Sequence, residues 1–125
     1  MTEKSPIENR IGQVFIPVRD IDRSARWYTT LLGLPEGSAT HGQTIYDLPT
    51  TGETRLALDA NRADFDPSGP PRFFFWTRDM AATVAFLKDL EVTFDSDVED
   101  IGSVMFVQFR DPDGNRLMVC QAAAA

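Results

Sequence analysis

Twice along this chain a short apolar run closes on Arg-Asp and gives way to a helical spacing. The first run, Val14-Phe-Ile-Pro-Val-Arg-Asp-Ile21, is rich in β-branched and aromatic residues and predicts a strand. Ala25, Tyr28, Leu31 and Leu32 then recur at intervals of three and four, which predicts an amphipathic helix. Asp20 or Asp22 suits its N-cap, and Gly33 suits a left-handed stop. The second run, Phe73-Phe-Phe-Trp-Thr-Arg-Asp-Met80, repeats the pattern, with Arg78-Asp79 matching Arg19-Asp20. Val84, Phe86, Leu87 and Leu90 mark a second helix, Phe86 and Leu90 falling opposite Trp27 and Leu31.

Strand patterns follow each helix. In the first half they cover 43–48 and 55–60, around a turn at 49–52. In the second they cover 92–95, 104–110 and 116–121. Asp111-Pro-Asp-Gly-Asn115 joins the last two, and its Gly114 and Asn115 both tolerate positive φ. Arg55-Leu56 and Arg116-Leu117 open the matching final strands. Residues 61–71, with three prolines and a glycine, read as a linker, and the alanines of 122–125 as a frayed tail. The predicted fold is α+β: one domain of two βαβββ modules in tandem, over about 8–62 and 72–121.

Composition narrows the partners. With 125 residues, 42% hydrophobic and 25% charged, the chain suits a single globular domain. Nineteen acidic against 12 basic side chains leave a net charge of −7, which repels phosphate backbones and anionic lipid. Neither nucleic acid nor a membrane is therefore an expected partner. No apolar run approaches the roughly 20 residues of a membrane span, and Met1 to Arg10 lacks the apolar core of a secretory signal. The single cysteine, Cys120, allows no intrachain disulfide, which suits a cytoplasmic location.

Ile11-Gly-Gln-Val-Phe-Ile-Pro-Val-Arg-Asp-Ile-Asp-Arg-Ser-Ala-Arg-Trp-Tyr28, Leu32-Gly-Leu34 and Phe109-Arg-Asp-Pro-Asp-Gly-Asn-Arg-Leu117 together resemble the vicinal oxygen chelate superfamily. That group includes glyoxalases, ring-cleaving dioxygenases, fosfomycin resistance enzymes and bleomycin-binding proteins. The likeness runs from about Ile11 to Gln121. It implies a curled mixed sheet around a central cleft, helices on the convex side, and a homodimer. Alternation along the strands then places Val14, Ile16, Val18, Leu56, Leu58, Phe73, Phe75, Thr77, Leu117 and Val119 under the helices. Gln13, Phe15, Pro17, Ala57, Asp59, Arg72, Phe74, Trp76, Met118 and Cys120 face the cleft.

Metal-using relatives carry histidine, glutamine or glutamate at four of these positions. The resemblance puts Gln13, Ala57, Arg72 and Met118 there. Only Gln13 offers a donor suited to a divalent ion, and Arg72 adds a permanent cation, so no metal and no other cofactor is expected. The expected ligand-binding set is Gln13, Phe15, Asp59, Arg72, Phe74, Trp76, Met118 and Cys120, an aromatic lining with few polar anchors. Such a cleft fits a small organic molecule, aromatic or amphipathic, as in the bleomycin-type sequestering proteins. No nucleophile–base pair assembles, so no catalytic residue is assigned.

Other readings stand beside this one. Phe73 to Trp76 also fits a strand buried on both faces, and Arg72 can simply neutralise Asp59. A glyoxalase- or dioxygenase-like enzyme with ligands relocated to Asp59, Glu53, Asp47 or His41 is the alternative. His41 itself reads as a loop residue, and the stretch from Glu91 to Asp100 as a solvated edge and loop. A third reading is an interaction module whose pocket has closed.

Overall fold

The computed structural model describes residues 5–37, 43–62 and 64–123. Chain contacts divide it into two compact units, 1–63 and 64–125. Unit one runs β1 (Gln13–Pro17), α1 (Ile21–Leu32), β2 (Ile45–Leu48) and β3 (Arg55–Asp59). Unit two runs β4 (Phe75–Trp76), α2 (Met80–Asp89), β5 (Glu99–Asp100), β6 (Val104–Arg110) and β7 (Arg116–Ala122). The fold is α+β with two mixed sheets, in the orders β1-β3-β2 and β4-β7-β6-β5.

In each unit the first strand pairs parallel with the last. The two ladders share a register. Pro17, three residues before Asp20, lies opposite Asp59, four after Arg55. Trp76, three before Asp79, lies opposite Cys120, four after Arg116. A slip of one residue would turn every side chain over, so the shared register gives both sheets the same choice of buried face.

In unit one that face holds Ile16, Leu56, Leu58, Tyr46 and Leu48, all no more than 4% exposed. Helix α1 contacts β2 and β3 and buries Ser24, Ala25, Tyr28 and Thr29. Two of those are polar, and Thr29 Oγ1 satisfies itself by donating to the Ala25 carbonyl at 2.8 Å. In unit two the buried face holds Val107, Phe109, Leu117 and Val119, and α2 buries Met80 and Leu87. The Met80 amide donates to Gln121 Oε1 at 2.8 Å, tying the start of α2 to β7.

The repeated Arg-Asp has one local role in both units. Asp20 is the N-cap of α1, accepting from the Arg23 amide at 3.1 Å, and Asp79 caps α2 by accepting from Ala82 at 3.0 Å. Asp22, the other candidate, lies inside the first turn of α1. Gly33 ends α1 at φ 65, as expected. Helix α2 has no glycine there. Its chain turns through Glu91 at φ 58, where a side chain is strained.

Several boundaries differ from the sequence expectation. The strands expected to end at Asp20 and at Arg78-Asp79 stop at Pro17 and Trp76, three residues before the aspartate that caps each helix. β2 begins at Ile45, since Gln43 sits at φ 66 and cannot extend a strand. The stretch 92–95 makes one bridge, Phe94 to Phe109, and no strand. Glu99–Asp100, expected in a solvated edge and loop, forms a short exposed edge strand on β6. Ala122 is no frayed tail: it pairs with Val104, and Ala123 donates to the Ser103 carbonyl at 3.0 Å. Two strands follow the helix among the described residues of unit one, three in unit two.

The turn between β6 and β7 is built around one carboxylate. Asp111, 5% exposed, accepts at Oδ1 from the Asp113 and Asn115 amides at 2.9 and 2.8 Å, and at Oδ2 from Asn115 Nδ2 at 2.9 Å. Gly114 alone adopts positive φ here, at 88, and a side chain on it would meet Pro67 at 3.5 Å. Asn115 does not need that conformation, because its amide and side chain both serve Asp111. Arg110 Nε donates to Asp95 Oδ2 at 2.6 Å and its guanidinium to the Gly114 carbonyl at 2.8 Å, clamping the turn from the side.

Asp111→Ala removes at least three hydrogen bonds to a buried charged group and should cost about 3 kcal/mol in urea unfolding. Asp111→Asn retains an acceptor for the two amides and should cost about half as much. Glu91→Gly relieves the positive φ and removes an acid from a helix C-terminus. It should raise stability by about 0.5–1 kcal/mol in the same assay.

Candidate functional site

The face of each sheet opposite its buried side carries Gln13, Phe15, Asp59, Trp76, Met118 and Cys120 of the expected ligand-binding set. In unit one, register places Gln13, Phe15, Pro17, Arg55, Ala57, Asp59, Ile45 and Asp47 on this open face. Phe15 is 47% exposed, whereas Ala57, on the central strand, is fully covered. Gln13 Nε2 donates to Asp47 Oδ1 at 2.9 Å, diagonally across β3. Asp59 is engaged locally, its Oδ1 accepting from the amide and side chain of Asn61 at 2.9 and 2.8 Å. Pro17 is buried.

In unit two, Trp76 and Cys120 share a rung, followed across β6 by Phe106, and Met118 lies opposite Gln108. Phe74 and Trp76 stand edge to face with ring centroids 4.8 Å apart, 40% and 64% exposed. Their neighbours Phe73 and Phe75 form the same arrangement at 5.1 Å, as alternation along an extended chain demands. A strand covered on both sides is thereby set aside for Trp76. The strand expected over 73–80 shrinks to Phe75–Trp76, so Arg72 and Phe74 sit on irregular chain before it. Arg72 is exposed and has no hydrogen bond or ion pair among the described residues.

Cys120 departs from the expectation that it lines a binding surface. Its parity is right, but it is 2% exposed, flanked in the ladder by Trp76 and Phe106. Burial disfavours the thiolate and pushes the thiol pKa up. Met118 is half-buried. Asp47, Gln108 and Phe106 were not in the expected binding set. The turn at 111–115 is the signal that could have found the latter two, since it fixes which residues of β6 and β7 are partners.

The positions where metal-using proteins of the resembled family place ligands hold an amide, a buried methyl, a guanidinium and a thioether: Gln13, Ala57, Arg72 and Met118. The one amide already donates to Asp47. These side chains do not fit a divalent ion. Of the relocated candidates, Asp47 and Asp59 share a face, Glu53 is exposed on a turn, and His41 lies outside the described residues. No three His, Cys, Asp or Glu side chains among the described residues converge as a metal site. No helix among them is long and apolar enough to cross a membrane.

The family model of the Glyoxalase/Bleomycin resistance protein/Dioxygenase superfamily matches residues 10–119. The chain belongs to this superfamily. No curated protein matches its sequence. Among solved structures, it is similar to a superfamily member from Sphaerobacter thermophilus, at TM-score 0.74 and 21% identity, covering 91% of this chain and 98% of that one. It is also similar to an antibiotic-binding protein from Streptomyces sp. CB03234, at TM-score 0.72 and 23% identity, covering 96% and 100%. A lactoylglutathione lyase from Agrobacterium tumefaciens matches at TM-score 0.71 and 20% identity, covering 94% and 96%. A binding protein and a lyase thus share this scaffold, and the fold alone does not choose between them.

The buried thiol gives a check on the unit-two sheet. A thiol reagent at pH 8 should modify Cys120 at least about a hundredfold more slowly in the native protein than in urea. Below about pH 8.5 both folded and unfolded thiols keep their proton, and stability is unaffected. Above it the unfolded thiol ionises first, so urea unfolding should show stability falling as pH rises toward the raised folded value.

Proposed function

We propose that this superfamily member binds a small aromatic or amphipathic molecule and uses no metal ion. The observation that carries the reading is the exposed edge-to-face pair of Phe74 and Trp76. Two large rings left open to water, one on β4 and one just before it, are costly unless something covers them. A flat ligand stacked on Trp76 would remove that surface from water. Arg72, two residues before Phe74, offers a cation on the same segment. The absence of suitable donors at the four family positions supports binding without metal chemistry, and the similarity to an antibiotic-binding protein agrees with it. A cytoplasmic homodimer belongs to the same proposal, supported by the family resemblance and the single buried cysteine.

Isothermal titration with a panel of polycyclic aromatic dyes tests this, alongside element analysis of protein purified without chelators. The expected result is saturable binding that Trp76→Ala weakens about tenfold or more, with no stoichiometric metal. A transition metal at one equivalent would overturn the reading in favour of a lyase- or dioxygenase-like enzyme. Silence across the panel would favour an interaction module.

A further inference from the structure

A groove of about 640 Å³ lies on the helix-covered side of the unit-two sheet, the side opposite Trp76. Met105 and Gln121 share a rung at its base, with the same parity as buried Val107 and Val119. Met80, Ala81 and Val84 of α2, with Val98, supply the rest of an apolar lining. Arg78 and Asp79 also line it, and their charges oppose. Val98 stands immediately before β5 and is 42% exposed, so the groove reaches water beside that strand.

β5 is an edge of this sheet, paired with β6 alone among the described residues. Ile101 donates to the Val104 carbonyl at 3.0 Å, so antiparallel alternation makes Glu99 the next hydrogen-bonded position. The amide and carbonyl of Asp100, between them, point outward as a template for one more strand. Asp97, Glu99 and Asp100 are exposed and form no ion pair among the described residues. A second copy of β5 laid along this edge would set carboxylate against carboxylate, whereas a basic strand would set opposite charges side by side. The edge thus disfavours its own copy and favours a cationic segment.

We infer that this edge and groove dock an extended, basic segment of a partner protein, which adds a strand to β5 and inserts one large aliphatic side chain beside Val98. Asp100 lies opposite Met105 and shares its groove-side face. Side chains two residues apart on an added strand would share that face as well. The fitting pattern is therefore a lysine or arginine beside Asp100 and an aliphatic residue two positions away. The inference stands apart from the ligand-binding reading, since the groove is not lined by Trp76.

A fluorescein-labelled peptide, threonine-rich around a central Lys-Thr-Leu-Thr-Lys, tests this by fluorescence anisotropy with the intact chain. Its controls carry Lys-Thr-Ser-Thr-Lys, Glu-Thr-Leu-Thr-Glu, or the first sequence N-methylated through its central residues. The leucine peptide should bind about tenfold more tightly than the serine and N-methylated peptides, and the glutamate peptide should not bind. Val98→Asn should abolish the leucine-over-serine ratio. Asp100→Asn, which keeps an acceptor for the Gly102 amide, should weaken the leucine and serine peptides about threefold. Trp76→Ala should leave these values unchanged. Equal binding of all lysine peptides, which is charge attraction alone, overturns the inference, as does a leucine preference that survives Val98→Asn. Silence from every peptide overturns it too. Dimerisation in ultracentrifugation that Val98→Asn abolishes would overturn it by giving the groove to a second copy. None of these outcomes touches dye binding through Trp76.

Discussion

Parallel pairing of the first strand with the last governs the chemistry of both units. Once Ile16 is set opposite Leu58 and Phe75 opposite Val119, the pleat decides which side chains are buried and which are left in the open. The buried set is aliphatic and aromatic and closes each core. The open set is what remains, and its members were brought together by the same register rather than by any contact of their own. Gln13 on β1 meets Asp47 on β2 diagonally across β3, where Arg55 is the partner of the first and Ala57 of the second, and Trp76 shares its rung with Cys120.

The scaffold achieves this with few specialised parts. Each helix is launched by an aspartate directly after an arginine, and the β6–β7 turn is organised by Asp111. Asp95 receives Arg110 at 2.6 Å and Arg116 at 3.2 Å with only 19% of its side chain exposed, so the base of that hairpin is held by a partly desolvated network. Much of the acidity of this chain is thus spent on caps and turns. Asp47 differs from these in being held by the side-chain amide of Gln13, from another strand.

Legibility in the sequence followed the range of the interaction. The Arg-Asp caps, the glycine stop of α1 and the extent of β6 were readable because neighbouring residues determine them. Alternation also sorted Phe74 from Phe75 and Gln13 from Val14, since parity needs only one anchored residue. Ends of strands were read less well: β4 keeps two residues of the eight its apolar run suggested, and the stretch 92–95 makes a single bridge. Strand length depends on how far a partner continues alongside, and no local pattern records that.

The sequence by itself determined the superfamily scaffold, the caps, the buried face and the poor donor set at the family metal positions. Those follow from side-chain chemistry and from periodicities of two and about 3.6 residues. Tertiary structure decided that Cys120 is sealed despite facing the open side, that Trp76 is 64% exposed, and that Asp47 is Gln13's partner. Each of these depends on which strand lies beside which, and residues 34 positions apart in the chain become neighbours only when the ladder forms.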